Sequence, residues 1–214
     1  MPRKPKPRER TNETLLVMAY GAEEMETVII IDILRRAGVS VRVAGENEIV
    51  TCSRGVKIIP DVLFDDVLED EYFDAIIIPG GSEAVESLAA HPHIEKLLHI
   101  QQKRNGIIAA ICAAPTLIAH FGLAKHSTAL TSHPSVERLL TKFVYLQDSV
   151  VIDRNIITSR GAGTAIEFAL TLVEILADSE TKDRIATDIV YTSPKNAEVA
   201  VENSNEETDE NLPV

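Results

Sequence analysis

Cys112 is the residue of this sequence best placed to do chemistry. It follows an apolar run at 107–111, which predicts a buried strand, and it precedes a segment with Pro115 that predicts the first turn of a helix. A side chain at such a junction lies at the carboxyl edge of a sheet, where α/β folds place their sites. The helix N-terminus favours the thiolate, which is a strong nucleophile and is readily oxidised. The alternative is a buried cysteine that serves as a small apolar side chain.

Glu26 is the candidate partner of this sulfur. A strand predicted at 14–19 is followed by a helix predicted at 23–36, and Glu26 lies in the first turn of that helix, from which it can point over the strand ends. Burial and a neighbouring thiolate would both disfavour its ionisation, so the carboxyl could stay protonated and act as a general acid and base. The alternative is an acid that stabilises the helix dipole in water.

Backbone N–H groups and one histidine complete the candidate site. Gly80 and Gly81 follow a strand predicted at 74–78, and the N–H groups of Gly81 and Ala113 could form a two-donor oxyanion hole. The glycines could also form a plain tight turn. His133 follows a strand predicted at 128–132 and is the histidine expected near Cys112, although a lone histidine is often only structural.

Composition and missing motifs exclude several other classes of protein. The chain of 214 residues is 45% hydrophobic and 25% charged, which fits one globular domain without a membrane span. Its net charge of −12 argues against nucleic-acid binding, and two cysteines predict an intracellular, reducing compartment. His91 and His93 lack a second cluster, so no metal site is expected. The sequence has no P-loop, no dinucleotide-binding glycine pattern and no serine nucleophile elbow.

The predicted elements alternate between strands and helices along the chain. Helices are predicted at 83–90, 93–103, 135–141 and 165–177, a hairpin at 150–158 and a further helix at 181–189. This alternation predicts an α/β fold, a doubly wound sandwich with a mostly parallel central sheet. Residues 1–12 are expected to be a disordered basic tail, 13–193 the domain and 194–214 a disordered acidic tail.

Taken together, these motifs resemble the DJ-1 branch of the DJ-1/PfpI superfamily over roughly residues 14–190. The matching segments, in order, are 21–27, 35–38, 43–45, 52–54, 79–81, 109–113 with Pro115, 131–134, 158–161 and 163–164. The resemblance implies a flavodoxin-like fold and a homodimer. It implies that Cys112 is the reactive cysteine, Glu26 its protonated partner and His133 a neighbour of the sulfur.

The resemblance also assigns the remaining site residues. It implies that Gly80, Gly81 and Ala113 surround the oxyanion pocket. Arg54, and Arg36 from the second subunit, would border the site at the dimer interface.

The resemblance further implies an activity. Family members act without a cofactor on reactive dicarbonyls, as glyoxalases that convert methylglyoxal to lactate or as deglycases of modified proteins and nucleotides. A redox sensor or redox-regulated chaperone that works through oxidation of Cys112 is the alternative. A protease is disfavoured because Ala113 stands where such members carry histidine. We expect a cytoplasmic protein, with the nucleus or an organelle left open by the basic N-terminal segment.

Overall fold

A seven-stranded sheet, in which only one edge strand is antiparallel, organises the protein. The computed structural model describes residues 13–192. Both predicted tails, at 1–12 and from 194, therefore lie outside the described residues. The strands are β1 (Glu13–Met18), β2 (Ser40–Gly45), β3 (Val50–Thr51), β4 (Lys57–Ile58), β5 (Val62–Leu63), β6 (Ala75–Ile78), β7 (Ile107–Ile111), β8 (Ala129–Leu130), β9 (Val144–Tyr145), β10 (Val150–Asp153) and β11 (Ile156–Ser159).

The order of the strands brings the candidate loops together. The main sheet runs β10-β11-β7-β6-β1-β2-β5, and its strands are parallel except for β10. The chain leaves β1 toward β2 on one side and later returns to place β6 on the other side of β1. This reversal is the switch point at which doubly wound sheets bind ligands, and the loops after β1, β6 and β7 all open there.

Six α-helices within residues 13–192 cover the sheet in two layers. They are α1 (Glu24–Arg36), α2 (Ser82–Ala90), α3 (Pro92–Lys103), α4 (Pro115–His120), α5 (Ala165–Leu176) and α6 (Ser179–Asp188). Helices α1, α5 and α6 pack together as one layer, while α2, α3 and α4 form the other. With helices on both faces, β6 and β7 are apolar along their whole length, as strands buried on both sides are. The predicted doubly wound fold is confirmed.

Local details differ from the sequence-based expectation in two places. Residues 135–141, predicted as an α-helix, form instead a 3-10 turn at Pro134–Leu139. The strand predicted at 128–132 is reduced to β8, which pairs with β9 in a separate two-stranded sheet and does not enter the main sheet. Both segments belong to the long connection between α4 and β10, where tertiary contacts outweigh local propensity.

Candidate active site at the carboxyl edge of the sheet

Cys112 occupies a sharp turn between β7 and α4. Its backbone φ is 65°, in the left-handed region that non-glycine residues rarely adopt. Two hydrogen bonds hold this conformation: the Cys112 N–H donates to the Ser159 carbonyl at 3.0 Å, and the Cys112 carbonyl accepts from the His133 N–H at 2.8 Å. The strained turn lifts the sulfur above the ends of the strands, as a nucleophile elbow does.

Glu26 lies against this sulfur, fully buried. The N–H of Gly80 donates to Glu26 Oε2 at 2.7 Å, and the carboxyl also hydrogen bonds with the Cys112 thiol. A Cβ on Gly80 would lie 2.5 Å from Cys112 Cβ and 2.9 Å from Glu26 Oε2. Glycine is therefore required here for the two side chains to approach each other. Because its N–H donates to Glu26, Gly80 positions the carboxyl, while it lies beside the pocket as the resemblance implied.

Burial shifts the pKa values of both the Glu26 carboxyl and the Cys112 thiol. Burial raises the pKa of Glu26 to about 7, against the effect of the Gly80 N–H and the Cys112 thiol. Burial and the Glu26 charge raise the pKa of Cys112 to about 12. The Ala113 N–H just before α4 acts to lower the thiol pKa, as expected of a helix N-terminus, but burial and the Glu26 charge outweigh it. With one proton on the pair, the thiolate forms when that proton lies on Glu26, which removes the repelling charge and supplies a hydrogen-bond donor.

Two backbone N–H groups lie beside the sulfur, at the positions where a two-donor oxyanion hole was expected. The N–H groups of Gly81 and Ala113 hydrogen bond with Cys112 and act to lower the pKa of its thiol. Gly81 has a φ of 98°, and its Cα approaches the Gly21 carbonyl so closely that a Cβ would lie 2.0 Å from that oxygen. The loops after β1 and β6 are thereby locked together. The donors are placed to stabilise negative charge on sulfur or on an oxygen bonded beside it.

A cavity of about 290 Å³ opens over Cys112. His133 lines it, and its Nδ1 accepts a hydrogen bond from the Ser135 N–H at 3.2 Å. A Cβ placed on Gly161 would lie 3.4 Å from His133 Cδ2 and 4.0 Å from the Cys112 sulfur, so the histidine and the sulfur flank the same glycine. The structure thus brings His133 into the site, where the sequence had left a structural role open.

The two arginines occupy different positions. Arg54 lines the cavity with an exposed side chain. Arg36 lies in the last turn of α1 and pairs with Asp32 at 2.7 Å, far along the helix from Glu26. Within one chain Arg36 is therefore outside the site, and its expected place beside a second subunit stays a prediction.

Sequence reasoning missed Glu83, which lines the cavity from the first turn of α2. Its position two residues after Gly81, at the same sheet edge, was the available signal. It also missed Gly161, whose backbone lies close to Glu26 and Cys112 at the end of β11.

Two further observations concern what the described part of the chain contains. Within residues 13–192, no three histidine, cysteine, aspartate or glutamate side chains come together as a metal site would need. None of the helices in that range is both long and apolar enough to cross a membrane.

Comparison with known proteins agrees with this geometry. The chain is 44% identical over 184 residues to protein dj-1beta of Drosophila melanogaster, an alignment that covers 84% of this chain and 97% of that protein. It is 43% identical over 169 residues to the glutathione-independent glyoxalase DJR-1.2 of Caenorhabditis elegans, covering 78% and 89% of the two chains. The crystal structure of Drosophila DJ-1beta superposes with a TM-score of 0.81 at 43% identity, over 85% of this chain and 98% of that one.

The family follows from these matches together with the fold. Residues 12–175 match the DJ-1/PfpI family. The matched segment contains the Cys112 elbow, the Glu26 helix turn and the Gly80–Gly81 loop. The chain belongs to the DJ-1/PfpI family.

Proposed function

We propose that this protein is a cofactor-independent cysteine enzyme that converts methylglyoxal to lactate without glutathione. The observation that carries the proposal is the buried Glu26 carboxyl, whose pKa is raised to about 7 beside the Cys112 sulfur. Isomerisation of an α-oxo aldehyde needs a nucleophile and a group that gives and takes a proton near neutral pH. The C. elegans relative named a glutathione-independent glyoxalase supports the same chemistry.

In the first step the Cys112 thiolate attacks the aldehyde carbon and the carbonyl electron pair moves to oxygen. The N–H groups of Gly81 and Ala113, which hydrogen bond with Cys112, stabilise the oxyanion. The Glu26 proton then passes to that oxygen. The product is a neutral hemithioacetal beside a Glu26 carboxylate.

In the second step Glu26 moves a proton between carbons. Its carboxylate removes the C–H proton from the former aldehyde carbon to give an enediolate, and Glu26 then returns this proton to the neighbouring carbon. The hydroxyl proton on the first carbon passes to the oxygen of that neighbouring carbon, so that a lactoyl thioester remains on Cys112. We assign His133 an auxiliary part in this proton transfer because it lines the same cavity.

Water completes the reaction by hydrolysing the thioester to lactate and the free thiol. One carbon is oxidised and its neighbour is reduced by the same two electrons, so the reaction needs no external oxidant. The same site would act on early methylglyoxal adducts of cysteine, lysine, arginine or nucleotides. In the reaction of such an adduct, the bond between the methylglyoxal carbon and the modified sulfur or nitrogen breaks. One water is consumed for each lactate released.

Lactate production from methylglyoxal, measured without glutathione, tests this proposal. We expect turnover by the wild type and at least a ~100-fold loss in Cys112→Ser and in Glu26→Ala, because a nucleophile and a proton-transfer group are removed. Cys52→Ala is the matched control and should retain activity, since Cys52 is buried outside the cavity. A folded wild-type protein without turnover would contradict the proposal, and full activity in Glu26→Ala would contradict the role of that residue.

A redox sensor is the second candidate, and the partial exposure of Cys112 favours it. Two equivalents of peroxide would convert the thiolate to a sulfinate, each being reduced to water. The Gly81 and Ala113 N–H groups would stabilise the new charge as they would an oxyanion. Intact mass after peroxide titration distinguishes this candidate: a sensor stops at two added oxygens on Cys112, and it does so without needing aldehyde turnover.

We further propose that the protein is a homodimer that uses the outer face of α1. Met25 and Val28 on this helix are 54% and 50% exposed. Ile49 and Val56, beside the β3–β4 hairpin, are also exposed, and hydrogen bonds from Gly21 and Ser53 hold that segment against the start of α1. A second copy of this chain would cover this apolar face. Arg36 of each subunit would then lie near Arg54 of the other. Cytoplasmic or nuclear localisation stays a prediction.

A further inference from the structure

The entrance to the Cys112 cavity carries more negative than positive charge. Glu23 and Glu83 line it with carboxylates, whereas Arg54 is the one lysine or arginine among the described residues of its wall. Glu24, just behind the wall, adds a buried carboxylate that accepts hydrogen bonds from Ser53 Oγ and the Arg54 N–H. A bound molecule therefore meets a field that favours positive charge.

Glu83 lies against Gly21 at this entrance. Its side chain folds over Gly21, so closely that a Cβ on Gly21 would lie 2.7 Å from Glu83 Cβ and 2.9 Å from its Oε2. The carboxylate is exposed to solvent, and among residues 13–192 it forms no hydrogen bond or ion pair. A carboxylate without a partner in the described part of the protein is available to whatever enters the cavity.

The other two acids are already used by the fold. Glu23 caps α1, since its carboxylate accepts the Glu26 N–H at 2.7 Å, and Glu24 ties that helix to residues 53–54. Substitution of either would disturb the helix that carries Glu26. Glu83 is thus the acid at the entrance that can be changed without moving the catalytic pair.

We propose that Glu83 is a specificity-determining residue that makes the site prefer α-oxo aldehydes and aldehyde adducts carrying a positive charge, such as those on a guanidinium group. This inference rests on the proposed dicarbonyl chemistry of Cys112. A cavity of about 290 Å³ keeps any charged group inside it well within the Debye length, ~8 Å at physiological salt, of its walls. Cations are attracted and anions repelled there, while neutral methylglyoxal gains little from the charge.

Arylglyoxals that differ only in charge test the inference. Phenylglyoxal, its 4-trimethylammonio derivative and its 4-carboxy derivative would each be isomerised to the corresponding mandelate, and kcat/KM would be measured for each. Dividing each value for Glu83→Gln by that of the wild type cancels the intrinsic reactivity of the substrate. We expect kcat/KM for the cationic substrate, divided by kcat/KM for the anionic substrate, to be about tenfold lower in Glu83→Gln than in the wild type. High salt should lower the same ratio in the wild type, because it screens the charge of Glu83.

Glu86→Gln is the matched control. Glu86 lies one turn further along α2, is exposed, and lines a separate groove of about 470 Å³ that contains none of the catalytic residues. The same change of charge there should leave the ratio as in the wild type. An unchanged ratio in Glu83→Gln, or an equal fall in Glu86→Gln, would overturn the inference.

A second measurement separates this inference from the proposed activity. Cationic and anionic methanethiosulfonates each form a mixed disulfide with the Cys112 thiolate and release methanesulfinate, in a Cys52→Ala background and without any turnover. The ratio of the two rates reports the potential at the sulfur. A wild-type preference for the cationic reagent that falls about tenfold in Glu83→Gln supports the inference even if no aldehyde is turned over. Equal ratios in the two proteins contradict it, whatever the enzyme assay gives.

Discussion

The two cysteines of the chain differ in what surrounds their sulfur atoms. Cys52 is buried, and burial with the charges of Glu24 and Glu23 raises the pKa of its thiol to about 11. The pKa of Cys112 is also raised, yet this residue has a carboxyl partner that can take its proton and two N–H donors aimed at its sulfur. The reactivity proposed for Cys112 therefore depends on its pair with Glu26 and on the backbone around it.

Gly80 provides a sharp test of that geometry. In Gly80→Ala the new methyl group would overlap Cys112 Cβ and Glu26 Oε2, so we expect the protein to be destabilised by about 1–3 kcal/mol and turnover to fall further than stability explains. Gly163→Ala is the matched control, since a Cβ at that position would meet no heavy atom within 4 Å among the described residues. Urea unfolding and lactate assays measure both effects, and equal behaviour of the two variants would contradict the steric argument.

The raised pKa of Glu26 predicts how stability depends on pH. The folded protein holds the Glu26 proton up to about pH 7, whereas the unfolded chain releases it near the ordinary value of 4.5. The contribution of protonated Glu26 to the free energy of unfolding is therefore fully present below pH 4.5. It is lost as the pH rises from 4.5 through 7, and the loss amounts to about 3 kcal/mol.

Urea unfolding of the wild type and Glu26→Gln between pH 4 and 8 measures this loss. The amide cannot ionise, so the difference in unfolding free energy between the two proteins should shift in favour of Glu26→Gln as the pH rises. Glu86→Gln, at an exposed position, should run parallel to the wild type. Parallel curves for Glu26→Gln would refute the assignment.

At the scale of elements, the turn between β7 and α4 stores strain that the rest of the fold supports. The positive φ of Cys112 is held by two hydrogen bonds: Cys112 donates to Ser159 at the end of β11 and accepts from His133 in the segment after β8. Strain of this kind costs on the order of 1–3 kcal/mol in a non-glycine residue. The sheet therefore stabilises a conformation that the sequence of the turn does not favour on its own.

The strain can be measured by comparing glycine with alanine at the turn. Cys112→Gly should be more stable than Cys112→Ala by about 1 kcal/mol, because glycine adopts positive φ without a steric penalty. Within α4 the order should reverse, and Ala119→Gly, at a helical position, should lower the free energy of unfolding by about 1 kcal/mol. Chemical unfolding of the variants decides this, and a Cys112→Ala protein more stable than Cys112→Gly would rule out backbone strain at the elbow.

At the scale of the whole molecule, the exposed apolar face of α1 predicts association. Val28→Glu would bury a charge in the proposed dimer contact, so sedimentation should shift from dimer to monomer. Leu68→Glu is the control at another exposed apolar side chain, 62% exposed, and should remain a dimer. A wild-type protein that sediments as a monomer at all concentrations would remove the proposed contact.

The sequence by itself determined the class of fold and the edge where the site lies. Apolar runs such as 107–111 and turn residues such as Pro115 are local signals, so they placed Cys112 at a strand-to-helix junction without knowledge of its neighbours. The periodic apolar face of 23–36 likewise placed Glu26 in a first helical turn. These inferences depend only on residues close together in the chain.

Tertiary structure decided which atoms meet at that edge. The Gly80 N–H donates to Glu26, which is 54 residues away in the chain, and thereby positions that carboxyl beside the sulfur. Glu83 lies at the cavity wall because Gly21, which has no side chain, leaves room for it. The pKa of the Cys112 thiol is raised mainly because the folded chain buries it away from water. Hydrogen-bond partners, burial and charge at a site depend on segments distant in sequence, and only their packing fixes them.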